Sequence, residues 1–353
     1  MKSQNGFTLI EVLVGVALAL LGMVAMFQVQ DNWTRQKRSI SSGGDAHIAG
    51  TVGAFHLERD LRNGGMGFGN SGVLGCNVLA FDNNRIGVKT FSFPLVPVRI
   101  VQGAAGAPDE VHVLYGNAEA PSSTYSVLST DQTNTMLQNR GGLGLGELVV
   151  IATAAGCQLA EISGNTDANG QTVDHTTASY TRNGVATTPR YNTAAALGVI
   201  AATNGTVHVL GRAPQLNIWA VRARVALTKF NTLNAETAGD VGDGVASLQA
   251  QYGLDTDADT AIDTWQDADP GDWTQLRMIR FGLLVRGENF EKEAVTVANP
   301  AWAGGNFTMT NLDGTADSGA AVANLGVNNW RNYRYNVFEV AVPLRNMIWI
   351  NAW

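Results

Sequence analysis

The 353 residues carry 23 Lys and Arg against 30 Asp and Glu, a formal net charge of −7. An acidic surface of that balance repels phosphate backbones and excludes nucleic-acid binding by bulk charge. Charged residues make up only 15% of the chain and glycines number 40, a mix that suits strand-rich structure with long loops better than a helical bundle.

Residues 1–6 are a short polar leader containing Lys2. Across 7–29 the sequence has one formal charge, Glu11, and no proline. A helix over this run is roughly 35 Å long, enough to cross a bilayer core of about 30 Å. A secretory signal would place a small-residue cleavage site after the apolar region, and no A-x-A pattern follows here, so any cut precedes the helix.

The contiguous Gly6-Phe7-Thr8-Leu9-Ile10-Glu11 before an apolar helix resembles the type III signal of type IV pilins and of type II secretion pseudopilins. The resemblance implies that a prepilin peptidase cuts after Gly6 and that Phe7 becomes an N-methylated first residue. It further implies that 7–30 anchors the subunit in the inner membrane with the rest outside the cytoplasm, before incorporation into a pilus at the cell surface. Charge bias does not set that orientation, because Arg35, Lys37 and Arg38 lie beyond the far end of the span from Lys2. A carboxylate near the end of a spanning helix costs a few kcal/mol unless paired or neutral. Glu11 lies about one turn from the amine freed at Phe7, and in the family's assembly that attraction sets subunit register; the plainer reading is a Glu at the headgroups.

Residues 31–63 continue as helix, with Ile48, Val52 and Phe55 on one stripe and Ala54, Leu57 and Leu61 beside it. Ser41-Ser42-Gly43-Gly44-Asp45 predicts a bend or break, and Gly64-Gly65 predicts the stop. Gly67-Phe68-Gly69-Asn70-Ser71-Gly72 matches a dinucleotide fingerprint in letters, but it follows a helix and opens none, so it reads as a turn.

From residue 64 to 353 the sequence predicts a β-rich head, giving an α+β fold in which one or two antiparallel sheets carry the long helix. Strands are expected at 110–115, 147–153, 206–210 and 216–230. Between 117 and 204, Ala, Gly, Ser, Thr and Asn dominate, which predicts long surface loops. Cys76 and Cys157 fall where disulfides form, and bridging them would close a loop of about 80 residues, worth roughly 4–5 kcal/mol in the chain-entropy model.

In the last third, 245–257, 276–286 and 333–346 resemble the C-terminal pattern of PilW-type minor pilins. That family implies a role in priming filament assembly near the tip, with other minor pilins and the major pilin as partners. The residues alone read more simply. Ile279, Phe281, Leu283 and Val285 alternate with Arg280 and Gly282 as a half-buried strand, 337–342 is another strand stopped by Pro343, and the arginines here serve as strand-face or end-cap cations.

Asp255-Thr-Asp257-Ala-Asp259-Thr-Ala261-Ile-Asp263 places carboxylates at positions 1, 3, 5 and 9 of a calcium loop, with the Ala261 carbonyl at position 7. Thr260 stands where the EF-hand has Gly, and Gln266 where it has Glu. Calcium is therefore weighed against a solvated acidic hairpin loop. Asp267, Asp269 and Asp272 follow, with no cation in 255–272.

The five histidines are scattered, and no H-E-x-x-H, G-x-S-x-G or C-x-x-C spacing occurs. The expected function is a non-catalytic minor pilin. The alternatives are a J-type pseudopilin of type II secretion and an adhesin that binds through loops in 117–204.

Overall fold

The computed structural model describes residues 8–69, 72–118, 124–165, 170–194, 197, 202–234, 236–317 and 326–348. Helix α1 (Leu9–Asn63) is a single element of 55 residues, about 80 Å long, capped by Thr8 and ended at Gly64. No break occurs at 41–45. Each glycine costs a helix about 1 kcal/mol relative to Ala, and the long helical stretches on both sides offset that penalty at Gly43 and Gly44.

After α1 come β1 (Asn77–Phe81), β2 (Thr90–Pro94), β3 (Val98–Val101) and β4 (Glu110–Tyr115). The middle of the chain supplies β5 (Tyr125–Thr130), β6 (Asn134–Leu137), β7 (Leu148–Thr153), β8 (Gly156–Glu161), β9 (Thr172–Asp174), β10 (Tyr180–Arg182), β11 (Val185–Thr187) and β12 (Gly205–Gly211). The remaining strands are β13 (Gln215–Arg222), β14 (Ala226–Asn231), β15 (Gly239–Asp243), β16 (Val245–Leu254), β17 (Thr264–Gln266), β18 (Leu276–Arg286), β19 (Ala301–Trp302), β20 (Gly305–Asn306) and β21 (Tyr335–Pro343), before the short α2 (Arg345–Ile348).

These strands form three large sheets where one or two were expected. One has eight strands in the order β2-β1-β8-β7-β12-β5-β6-β9, one has five in the order β15-β14-β13-β4-β3, and one has four in the order β17-β16-β18-β21. The pairs β10-β11 and β19-β20 are separate ribbons. Among the described residues the β1–β8 pairing is parallel and the other strand pairs are antiparallel.

Two further expectations need correction. The run 216–230 is a hairpin, turned by Ala223 and Arg224 at φ 49° and 57°. Neither residue is a Gly or Asn, so the usual sequence mark of a left-handed turn is missing. The expected loops of 117–204 are instead threaded by seven strands, β5 to β11. Their polar residues are buried by pairing with one another: Thr135 Oγ1 meets Thr130 Oγ1 at 2.8 Å and His175 Nε2 at 3.0 Å. Similarly, Asn192 exchanges bonds with the Glu161 backbone at 2.8 and 2.7 Å. Hydrogen-bonded burial of this kind carries no hydrophobic signature.

Beyond Asp31 the two apolar stripes of α1 have different fates. Ala54, Leu57 and Leu61 join a core with strands of the five- and four-stranded sheets, while Ile48, Val52 and Phe55 stay exposed. Gly50 permits the closest approach: a Cβ there would lie 2.1 Å from the Phe338 ring on β21.

One polar contact fixes the depth of that docking. Asp60 of α1 is 1% exposed. Its carboxylate accepts from Tyr115 Oη at 3.2 Å, Asn217 Nδ2 at 2.9 Å and Trp219 Nε1 at 3.0 Å, with Lys229 Nζ at 3.7 Å. These partners lie on β4, β13 and β14, the three central strands of one sheet. Removing the acceptor strands buried donors and a cation. Asp60→Ala is expected to cost about 3–5 kcal/mol, and urea denaturation of the detergent-solubilised chain checks it; a loss under about 1 kcal/mol would contradict the role given to this contact.

Candidate functional site

The functional features lie at two ends of the molecule. At the N-terminal end, Leu9–Asp31 is a stretch of 23 residues long and apolar enough to cross a membrane, and none of its most apolar window is buried in the head. Gly6 and Phe7 lie outside the described residues. Thr8 and Glu11 form a capping box: Glu11 N donates to Thr8 Oγ1 at 3.4 Å, and Glu11 Oε2 accepts from Thr8 N at 3.2 Å and Thr8 Oγ1 at 3.2 Å. The carboxylate is thereby turned back toward the helix N-terminus, where the positive end of the dipole favours an anion. Thr8 had not been singled out as a site residue, although Thr-x-x-Glu before an apolar run is a readable capping signal.

In the head, Cys76 and Cys157 are bonded to each other across 81 residues, with Cα atoms 6.2 Å apart. The bridge sits beside the parallel β1–β8 pairing, whose register covers only Val78 with Cys157 and Leu79 with Gln158. It therefore reinforces the one parallel join described in the eight-stranded sheet, a pairing slightly less stable per residue than an antiparallel one.

The acidic stretch 255–272 divides into two groups, one on either side of β17. Asp267 Oδ1 accepts from Gln251 Nε2 at 2.7 Å, Asp269 Oδ1 from Tyr252 Oη at 2.9 Å, and Asp272 Oδ1 from Thr274 N at 2.8 Å. Arg99 adds a contact to Asp269 at 3.5 Å. These three carboxylates have protein partners. Asp255, Asp257 and Asp263 instead bring carboxylate oxygens within 4.8 Å of one another.

Asp259 is not in that trio; its Oδ1 accepts from Ala261 N at 2.7 Å. That bond uses the Ala261 N–H and leaves its carbonyl free of it, and three of the four carboxylates expected from spacing come together. The bonds from the Thr256 N–H and hydroxyl hold the Asp263 carboxyl below the usual carboxylate range. Arg277 faces Asp255 at 3.2 Å, both side chains almost fully buried. Sequence reading placed no cation in 255–272; Arg277 lies just past that window and reaches back from β18.

The histidines are dispersed, with His47 and His56 on α1, His112 on β4, His175 just after β9 and His208 on β12. Burial pushes His208 down to about 4, and lowers His112 and His175 from the ordinary histidine range. Their ring nitrogens contact Thr206, Glu110 and Thr135. Both cysteines are used in the disulfide.

Comparison with known families bears on the two ends of the chain. Residues 199–346 match the family described as Type IV Pilus-assembly protein W, and residues 1–27 match the prokaryotic N-terminal methylation motif. No curated protein and no solved structure matches the chain.

Loss of the bridge should be felt mainly as free entropy of the unfolded chain. Cys76→Ser with Cys157→Ser is expected to lower head stability by about 4 kcal/mol. In thermal melts with and without reductant, only the parent protein should shift; a parent melt unchanged by complete reduction would refute the expectation.

Proposed function

Because the chain is a type IV pilin-like protein of the PilW type, we propose that it is a non-catalytic minor pilin that primes or supports filament assembly near the pilus tip. The observation that carries this reading is the continuity of α1. A 23-residue apolar stretch passes without a break into a helix docked through Leu57, Leu61 and Asp60 on the head. A rigid rod of this kind can hold the head at the inner-membrane surface and then transfer into a helical bundle without refolding.

The exposed Ile48, Val52 and Phe55 support the same reading. They extend an apolar face of the helix past the lipid-length segment, beside the stripe that the head covers. Neighbouring helices in a filament offer the partner such a face lacks. The proposed partners are other minor pilins and the major pilin, with prepilin peptidase acting first after Gly6. The match over 199–346 favours a pilus over a type II secretion system.

Glu11 is proposed to pair in the assembled state with the amine of Phe7, on its own subunit or a neighbour. Before assembly the capping box satisfies it, so insertion does not require that partner.

Two substitutions separate processing from assembly. Gly6→Arg should leave the leader attached and keep the chain out of pili, seen by N-terminal sequencing of membrane and pilus fractions. Glu11→Val should be cleaved and inserted normally while its recovery in sheared pili falls about tenfold or more. Deleting the gene should reduce surface pili, and the chain should co-purify with other minor pilins. Unchanged piliation without the protein, together with no pilin among its partners, would overturn the reading.

A further inference from the structure

The carboxylates of Asp255, Asp257 and Asp263 form a cluster that the protein's own donors leave incomplete. Each makes a local bond: Asp255 Oδ2 accepts from Thr260 N at 3.2 Å, Asp257 Oδ1 from Asp259 N at 3.2 Å, and Asp263 Oδ2 from Thr256 N at 2.6 Å. These bonds hold the chain in a tight turn between β16 and β17. They do not explain why three like charges are gathered within 4.8 Å.

A separate observation concerns Asp255 alone. The residue is 2% exposed, and although Oδ2 has Arg277 and Thr260, its other oxygen, Oδ1, is buried and accepts no hydrogen bond. An ionised carboxylate oxygen taken out of water without a partner costs several kcal/mol, and native proteins supply such atoms with a donor, a water or an ion. A neutral donor could satisfy Oδ1 but would leave the charge repulsion in place.

We propose that Asp255, Asp257 and Asp263 bind one calcium ion. The charge balance fits, since three carboxylates and the Arg277 guanidinium leave two negative charges. The dimensions fit as well. Oxygens bound to one calcium at about 2.4 Å lie no more than about 4.8 Å apart, and all three carboxylates meet that limit; magnesium, at about 2.05 Å, demands near-ideal octahedral geometry, which two exposed side chains on a loop do not supply. The site combines one rigid, buried ligand with two exposed ones, leaving the solvent side open to water ligands, as calcium's flexible coordination allows.

The ion would act on an edge strand. Among the described residues β17 pairs only with β16, through Tyr252, Gly253 and Leu254, and carries Trp265, whose ring lies against Gly253 and under the Arg280 guanidinium at 4.5 Å. Joining Asp255 at the end of β16 to Asp263 just before β17 would clamp that hairpin closed. Calcium then regulates how firmly the edge of the four-stranded sheet is presented, a property independent of whether the filament is a pilus.

The test uses the full chain in detergent, stripped with chelator and titrated with CaCl2 or MgCl2. One calcium should bind with a Kd of about 10⁻⁴ to 10⁻³ M, and 10 mM should raise the melting temperature by about 5 °C. Asp257→Asn and Asp263→Asn keep the turn acceptors and should weaken binding at least tenfold, while Asp313→Asn, an exposed carboxylate elsewhere, should change nothing. In chelator the Asp257→Asn variant should melt at or above the parent temperature, because a repulsive charge is gone, which also shows that it folds. No heat and no shift with the parent protein, equal responses from parent and loop variants, or an equal response to magnesium would overturn the assignment.

Discussion

The head is held on its anchor by a charge buried where the helix meets the sheet. Asp60 gathers a phenol, an amide, an indole and an ammonium from three adjacent strands. Apolar packing by Leu57 and Leu61 is stronger in total but less particular, since a helix can slide or rotate along a greasy groove at modest cost. A carboxylate that must meet four fixed donors cannot. The exposed stripe of Ile48, Val52 and Phe55 consequently points in a defined direction relative to the head, and the proposed packing into a helical array would need that angle fixed.

The same logic explains where a glycine of the helix matters and where it does not. Gly50 lies under Phe338, so any side chain there would push the terminal strand away. Gly43 and Gly44 have nothing within 4 Å of a Cβ position, and the helix passes through them intact. Glycine in a helix is a cost to be offset, and only the surroundings reveal whether it is also a requirement.

Much of the outline was legible from the residues, because the relevant signals are local. An apolar run with Glu11 as its one charge marks the span, paired glycines mark the end of the helix, and apolar residues at every second position mark one face of β18, where Ile279, Phe281, Leu283 and Val285 are all fully buried; Leu284 buries the other face as well, against Phe307 and Trp330. What escaped reading depends on distant partners. Asp60 meets Asn217 and Trp219 more than 150 residues away, and nothing near Asp60 in sequence announces them. The middle segment misled for a related reason: Thr130, Thr135, His175 and Asn192 look like loop residues until their neighbours are known, and all four are buried. In the acidic loop, counting charges along the chain overlooked Arg277 and Arg99, which enter from other strands, and so overstated the repulsion at Asp255 and Asp269.

The division of the head into cores suggests how its parts bear on one another. Among the described residues none of α1 belongs to the two apolar clusters that the eight-stranded sheet joins; Phe68, in the turn beyond the helix, belongs to one of them. The helix docks instead on sheets built mostly from β13 to β21, within the span of the family match, together with β3 and β4 from outside it. The eight-stranded sheet is drawn largely from residues that neither family match covers, and its parallel join is locked by the disulfide. Changes on its far strands, β6 and β9, would therefore leave the depth and angle of helix docking untouched, because the force that sets them acts through Asp60 and the opposite side of β4. A head arranged in this way can carry a distinct outer sheet while presenting the same helix and the same docking face to an assembling filament.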